Sequence, residues 1–316
     1  MKKIFLLLCF VIILFTGCRP YKEPIRIAIN NWPPCELWYI AEKQGYFGDT
    51  PVEIIKFSTW SDSINSLYAG KTDLAHSTYL NTIEKAYKGE DAKIILSSSR
   101  IDGADGLVVK NYIEDLKELK GKKIAVEIGT DEHFLLYKSF EKIGISDKDV
   151  TIVPTTSEKA MKMFIAGKVD ACFTYEPYMT QAAADGGGRV AMTTGSSLAG
   201  YRDAIIAKNK TLEERPKDYE VLISAWYKAQ EYVKNNPKKA YKLMASKETL
   251  SLEEFKNFYE SFYFFTPNDN KTMFSSGILE SQLNELNEFL LKNNLLKSPV
   301  NVNDIYIGKI INEVSN

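Results

Sequence analysis

The chain writes one stretch of itself twice. "AGKTD" at residues 69–73 returns as "AGKVD" at 166–170, an offset of 97. "IRIAINN" at 25–31 aligns with "KKIAVEI" at 122–128 at the same offset, and "VEII" at 52–55 with "VTIV" at 150–153 at 98. A period near 100 residues is too long for a solenoid unit and reads as two copies of one α/β half-domain. Each copy predicts strand, helix, strand, helix, strand, with glycines at the helix ends (Gly45, Gly70, Gly144). Strands alternating with helices predict parallel pairing through right-handed crossovers.

A second echo flanks the second copy. "DGLVVKN" at 105–111 matches "DAIIAKN" at 203–209. One strand leads into the second copy and the other follows it. The simplest topology makes both of them crossings between two lobes. Residues 25–104 then form the first part of lobe 1 and residues 105–205 form lobe 2, with a crossing strand at each end. Residues 206–316, helical in pattern through "LEEFKNFYESFYFF" and beyond, pack back on lobe 1. Each lobe is expected to be a mixed, mostly parallel sheet flanked by helices, with a ligand cleft where the strand ends face each other.

The N-terminus belongs to neither lobe. Lys2 and Lys3 precede an apolar run from Ile4 to Phe15, then Thr16-Gly17-Cys18. The run is short for a membrane span and has signal-peptide form. The residues before Cys18 resemble a bacterial lipobox, which implies a signal peptide over 1–17, lipid on Cys18 and a tether over 18–24. The remaining cysteines, Cys35 and Cys172, fall in different copies and are expected to be free thiols. With 40 basic and 41 acidic residues the formal charge is −1, which offers nucleic acid no basic surface.

These features together resemble a type-2 solute-binding protein of an ABC importer. "NWPPCELWYIAEKQGYF", "GADGLVV", "GKKIAVEIGTDEHFLL" and "AGKVDACFTYEP" are similar to the nitrate/sulfonate/taurine and thiamine-precursor binding group. Tyr175 stands where that group usually has Trp before Glu-Pro, Pro34 where Gly is common, and Leu37 where Pro is common. The resemblance implies a two-lobed periplasmic-binding-protein fold, a small-molecule ligand, a permease partner, a monomer, and export to a bacterial membrane through a lipid anchor. It implies no catalysis and no cofactor, and no His/Cys/carboxylate spacing suggests a metal site.

Candidate ligand contacts come from the strand ends. Gly129 and Thr130 precede a helix whose free N–H groups form an anion seat. Asp131 and Glu132 in its first turn are expected to face solvent. Glu36, Asp105, Glu176 and Asp203 favour a cationic or N–H-rich group. Trp32, Trp60 and Tyr175 offer π surface, and Asn31, Ser77, Thr78 and His133 offer uncharged polar contacts. The expected ligand is an organic, nitrogen-containing solute, either a zwitterion or an amine-bearing heteroaromatic. The alternatives are a simple oxyanion such as nitrate, bicarbonate or sulfonate, a ligand-sensing lipoprotein, or a cleft enzyme resembling a thiamine-pyrimidine synthase.

Overall fold

Asp73 and Asp170 explain the duplicated pentapeptide. Asp73 accepts a hydrogen bond from the Arg26 backbone N–H at 3.0 Å, and Asp170 accepts one from the Lys123 N–H at 2.8 Å. Each aspartate ties the start of its copy's third strand to the start of the first. The glycine before it leaves the preceding helix in the left-handed region, with φ of +72° at Gly70 and +66° at Gly167, a conformation that penalises a side chain.

The computed structural model describes residues 23–195, 202–248 and 250–314. The expected signal peptide, Cys18 and most of the tether lie outside the described residues. Copy one supplies β1 (Ile25–Ile29), α1 (Leu37–Lys43), β2 (Val52–Lys56), α2 (Trp60–Tyr68) and β3 (Leu74–Thr78), followed by α3 (Tyr79–Tyr87) and β4 (Ala92–Ile101). After β5 (Asp105–Lys110), copy two supplies β6 (Lys123–Val126), α4 (Asp131–Ile143), β7 (Thr151–Pro154), α5 (Ser157–Ile165) and β8 (Ala171–Tyr175), followed by α6 (Tyr178–Asp185) and β9 (Gly188–Thr193). Then come β10 (Arg202–Lys208), α7 (Asn209–Glu214), α8 (Pro216–Asn235), α9 (Pro237–Ala245), α10 (Leu252–Glu260), β11 (Phe262–Phe264), α11 (Pro267–Ser275), α12 (Ile278–Lys292) and α13 (Lys309–Val314).

The strands form two sheets, ordered β2-β1-β3-β10-β4-β11 and β7-β6-β8-β5-β9. The repeat's own three strands pair in parallel, and the strands added beside them run antiparallel. The two echoed strands hold equivalent places. β10 lies antiparallel to β3 with Asp203 opposite Thr78, and β5 lies antiparallel to β8 with Asp105 opposite Tyr175. Among the described residues β10 pairs only within the first sheet, so residues 202–205 belong to lobe 1 and not to the end of lobe 2 as expected from the sequence. The matched lysines that end these strands also act alike. Lys208 donates to the carbonyls of Leu67 and Tyr68 at the end of α2, and Lys110 donates to that of Phe164 in the last turn of α5. A cation there satisfies orphan carbonyls and complements the helix dipole.

Both faces of each sheet are covered, which is why the central strands carry apolar residues on both sides. Ile25, Ile27 and Ile29 face a core containing Trp38 and Trp226, while Ala28 faces the opposite core with Leu283 and Leu290. In the second sheet Leu107 and Val109 face one core and Val108 the other. The C-terminal helices complete both cores of the first sheet. Within the run read as helical, Phe262–Phe264 is a strand that extends the first sheet by pairing with β4. Its aromatic residues suit a pleated edge and override the helical spacing that precedes them. Cys35 and Cys172 are free and buried. No helix among the described residues is long and apolar enough to cross a membrane.

Candidate functional site

The carboxyl ends of the parallel strands of both sheets converge on one cavity of about 630 Å³. The segment after β1 brings Asn31 and Trp32, the end of β3 brings Thr78, and the start of α2 brings Trp60. From lobe 2 come Gly129 and Thr130 after β6, and Tyr175 and Glu176 at the end of β8. The amino ends of the two echoed strands contribute Asp105 and Asp203. A depression of similar size, about 660 Å³, lies among the C-terminal helices, but it includes no residue of either repeat and no convergent strand ends.

Three expected contacts lie elsewhere. Glu36 sits in a short 3-10 helix, Pro33–Glu36, that turns it inward, where it is fully buried and 3.1 Å from Lys56. Ser77 points beneath the strand end and bonds the Thr78 carbonyl and Thr82 hydroxyl. His133 packs on Phe289 of α12 with ring centroids 5.0 Å apart and accepts a long bond from the Gly129 N–H at 3.4 Å. Desolvation pushes His133 down to about 4, so it is neutral near pH 7.

Asp131 and Glu132 correct the sequence reading in the other direction. Both line the cleft, because the first turn of α4 points into it. Glu84, Glu127 and Phe258 also line it without having been expected. Phe258 belongs to the unrepeated tail. Glu84 belongs to α3, outside the duplicated elements. Seven carboxylates therefore surround the cavity, from Glu84, Asp105, Glu127, Asp131, Glu132, Glu176 and Asp203, and no lysine or arginine is among the described lining residues.

These carboxylates differ in how well they are satisfied. Glu127 accepts from the Ser157 N–H and hydroxyl, and Glu176 from the Thr180 N–H and hydroxyl. Asp203 accepts from the Ser99 hydroxyl at 2.8 Å and the Trp32 indole N–H at 3.4 Å. Asp105 is 1% exposed, and its Oδ2 has no hydrogen-bond partner among the described residues. Burial, reinforced by Glu132, Asp131, Asp203 and Glu176, raises the Asp105 carboxyl well above its usual range. Burial likewise raises Asp131, with Glu132 adding to it and the Thr78 hydroxyl opposing. Burial raises Asp203 to about 7.

Contacts between α4 and α12 hold the lobes together beside the cleft. Lys138 on α4 pairs with Glu285 on α12 at 2.8 Å, and Phe289 sits against His133, Phe134 and Tyr137. The anion seat is occupied differently from expectation. The Thr130 hydroxyl donates to the Glu127 carbonyl instead of capping the helix, and Asp131 and Glu132 of the first turn stand where an anionic ligand group was expected.

The family model described as NMT1/THI5 like matches residues 33–240, about two thirds of the chain. The chain belongs to the NMT1/THI5-like family. Among full-length relatives, a putative aliphatic sulfonates-binding protein of Bacillus subtilis is 27% identical, with 100% of this chain and 98% of the relative aligned. The periplasmic aliphatic sulphonate binding protein SsuA from Escherichia coli superposes with a TM-score of 0.70 at 17% identity, covering 90% of this chain and 92% of that one. The desulfurization enzyme DSZB superposes at 0.66 with 15% identity, covering 93% and 99%. The NMT1/THI5-like chain thus has the periplasmic-binding-protein fold, which carries both binding proteins and an enzyme.

Proposed function

We propose that this protein is the solute-binding component of an ABC importer, exported and tethered through Cys18, and that it carries an organic solute with a protonated nitrogen between its lobes. The observation that carries the ligand class is the cleft lining of seven carboxylates with no described lysine or arginine. A buried, unpaired carboxylate costs several kcal/mol, and an entering cation removes that cost. The binding-protein class is supported by the full-length Bacillus subtilis relative.

Of the two ligand forms expected from the sequence, a zwitterion or an amine-bearing heteroaromatic, the zwitterion is the less well supported, and the cleft suits an amine-bearing cation. The helix end that was to seat an acidic group carries Asp131 and Glu132 into the same cavity. A sulfonate or nitrate would find no lysine or arginine among the described lining residues to offset its charge. A thermal-shift panel of amines, taurine, an alkanesulfonate and nitrate tests this reading. Saturation at 100 times the dissociation constant raises stability by about 2.7 kcal/mol, and the amines are expected to produce the shift. A shift with the sulfonate or nitrate alone overturns the ligand class. Mass spectrometry of the recovered ligand should find it unchanged, and turnover would overturn the binding role.

A further inference from the structure

We infer that the solute is a dication of the diamine class, with two N–H-bearing cationic groups, and that Asp105 is the residue that selects it. This rests on the reading of the cleft as a site for an organic cation. Glu127 and Glu176 are already satisfied by N–H and hydroxyl donors, and Asp203 by Ser99 and Trp32. Asp105 is not. Its Oδ2 is buried, lacks a partner among the described residues and lies in the lining of the cavity, where the charges of Asp131 and Glu132 reach it.

The acids around Asp105 face the cavity from two directions. Asp105 starts β5 on the floor of the cleft, and Asp131 and Glu132 start α4 on the lobe 2 wall. One ammonium carries one charge, which leaves part of this acidic set uncompensated. A quaternary ammonium has no N–H to give the Asp105 oxygen. Two ammonium groups joined by a short methylene chain meet both requirements. The cavity of about 630 Å³ has room for such a chain. Trp32 offers it a fixed wall, since Phe258 and Phe262 hold the indole edge-on at 5.4 and 5.0 Å.

Isothermal titration calorimetry of the purified protein with 1,4-diaminobutane, butylamine and taurine tests the inference. The diamine should bind at least roughly tenfold tighter than the monoamine, the scale of one buried charge pair. Asp105→Asn should bring the two amines to within about threefold of each other, while an unchanged circular dichroism spectrum shows that it folds. Glu132→Gln should narrow the preference in the same direction, and Glu158→Gln, on the surface of α5, should not alter it. Equal binding of both amines by the wild type, or an undiminished preference in Asp105→Asn, overturns the dication and leaves the cation reading standing. Binding of taurine with neither amine bound overturns both.

Discussion

The indole N–H of Trp32 lies 3.4 Å from Asp203 Oδ2, so the loop after the first strand meets the strand that returns from lobe 2, 171 residues later. Ser99 Oγ donates to the same oxygen at 2.8 Å. Even with both donors, burial holds the Asp203 carboxyl near 7, above its ordinary 3.8. Asp203 therefore holds a proton in the folded, unliganded protein that the unfolded chain has lost between about pH 4 and pH 7. Stability should fall as pH rises through that window, because the raised carboxyls of Asp105 and Asp131 act in the same direction and together with Asp203 outnumber the two depressed histidines, His76 and His133, which act against it.

Melting of the unliganded protein should thus be several degrees higher at pH 5 than at pH 7.5, about 2–4 °C for each kcal/mol in a protein of this size. Asp203→Asn should flatten the difference and raise the melting temperature at pH 7.5. A melting temperature that rises from pH 5 to 7.5 would show that these acids are not held in their protonated form.

Lys56 stands between two buried acids, 3.1 Å from Glu36 and 3.8 Å from Glu248. Burial first, then Glu248, pushes Glu36 up to about 8. Lys56→Met leaves both acids without their cation and should cost at least about 2 kcal/mol in urea unfolding. Glu36→Gln removes one acid and should cost under about 1 kcal/mol, since a neutral group there needs no counter-charge. Neither variant should change ligand affinity, because neither residue lines the cleft.

The duplicated lysines predict duplicated effects. Lys110→Met and Lys208→Met each strip the terminal carbonyls of a helix of their donor. Each should cost about 1–2 kcal/mol by chemical denaturation. The losses should add in the double variant, because each acts within a different sheet. A strong departure from additivity would mean that the two sites are coupled.

Gly195 sits in one connection between the lobes with φ +76°, and a Cβ there would lie 2.7 Å from Asp102 Cβ in the other. Gly195→Ala should therefore cost at least about 1 kcal/mol in thermal unfolding. A neutral result would mean that the two connections separate freely.

The repeat made the double sheet legible, because it set the order of strands and helices without reference to loops. The paired Asp-led strands marked two cleft residues for the same reason. Asp131 and Glu132 were misread because acids in a first helical turn usually complement the dipole from solvent, and here that turn points into a cavity closed by the other lobe. Glu36 was misread because the short 3-10 turn that swings it inward leaves no periodic signal. Phe258 comes from a tail with no second copy to compare. The edge strand Phe262–Phe264 continues a helical pattern in sequence and departs from it through its pairing with β4.

The sign of proton exchange on binding bears most directly on the cationic cleft. Calorimetry of 1,4-diaminobutane near pH 6.5, repeated in buffers of different ionisation enthalpy, measures it. A cation entering beside Asp105, Asp131 and Asp203 stabilises their charged forms, so binding should release protons into the buffer. Proton uptake accompanying tight binding of an alkanesulfonate, with no binding of the diamine, would contradict a cation site.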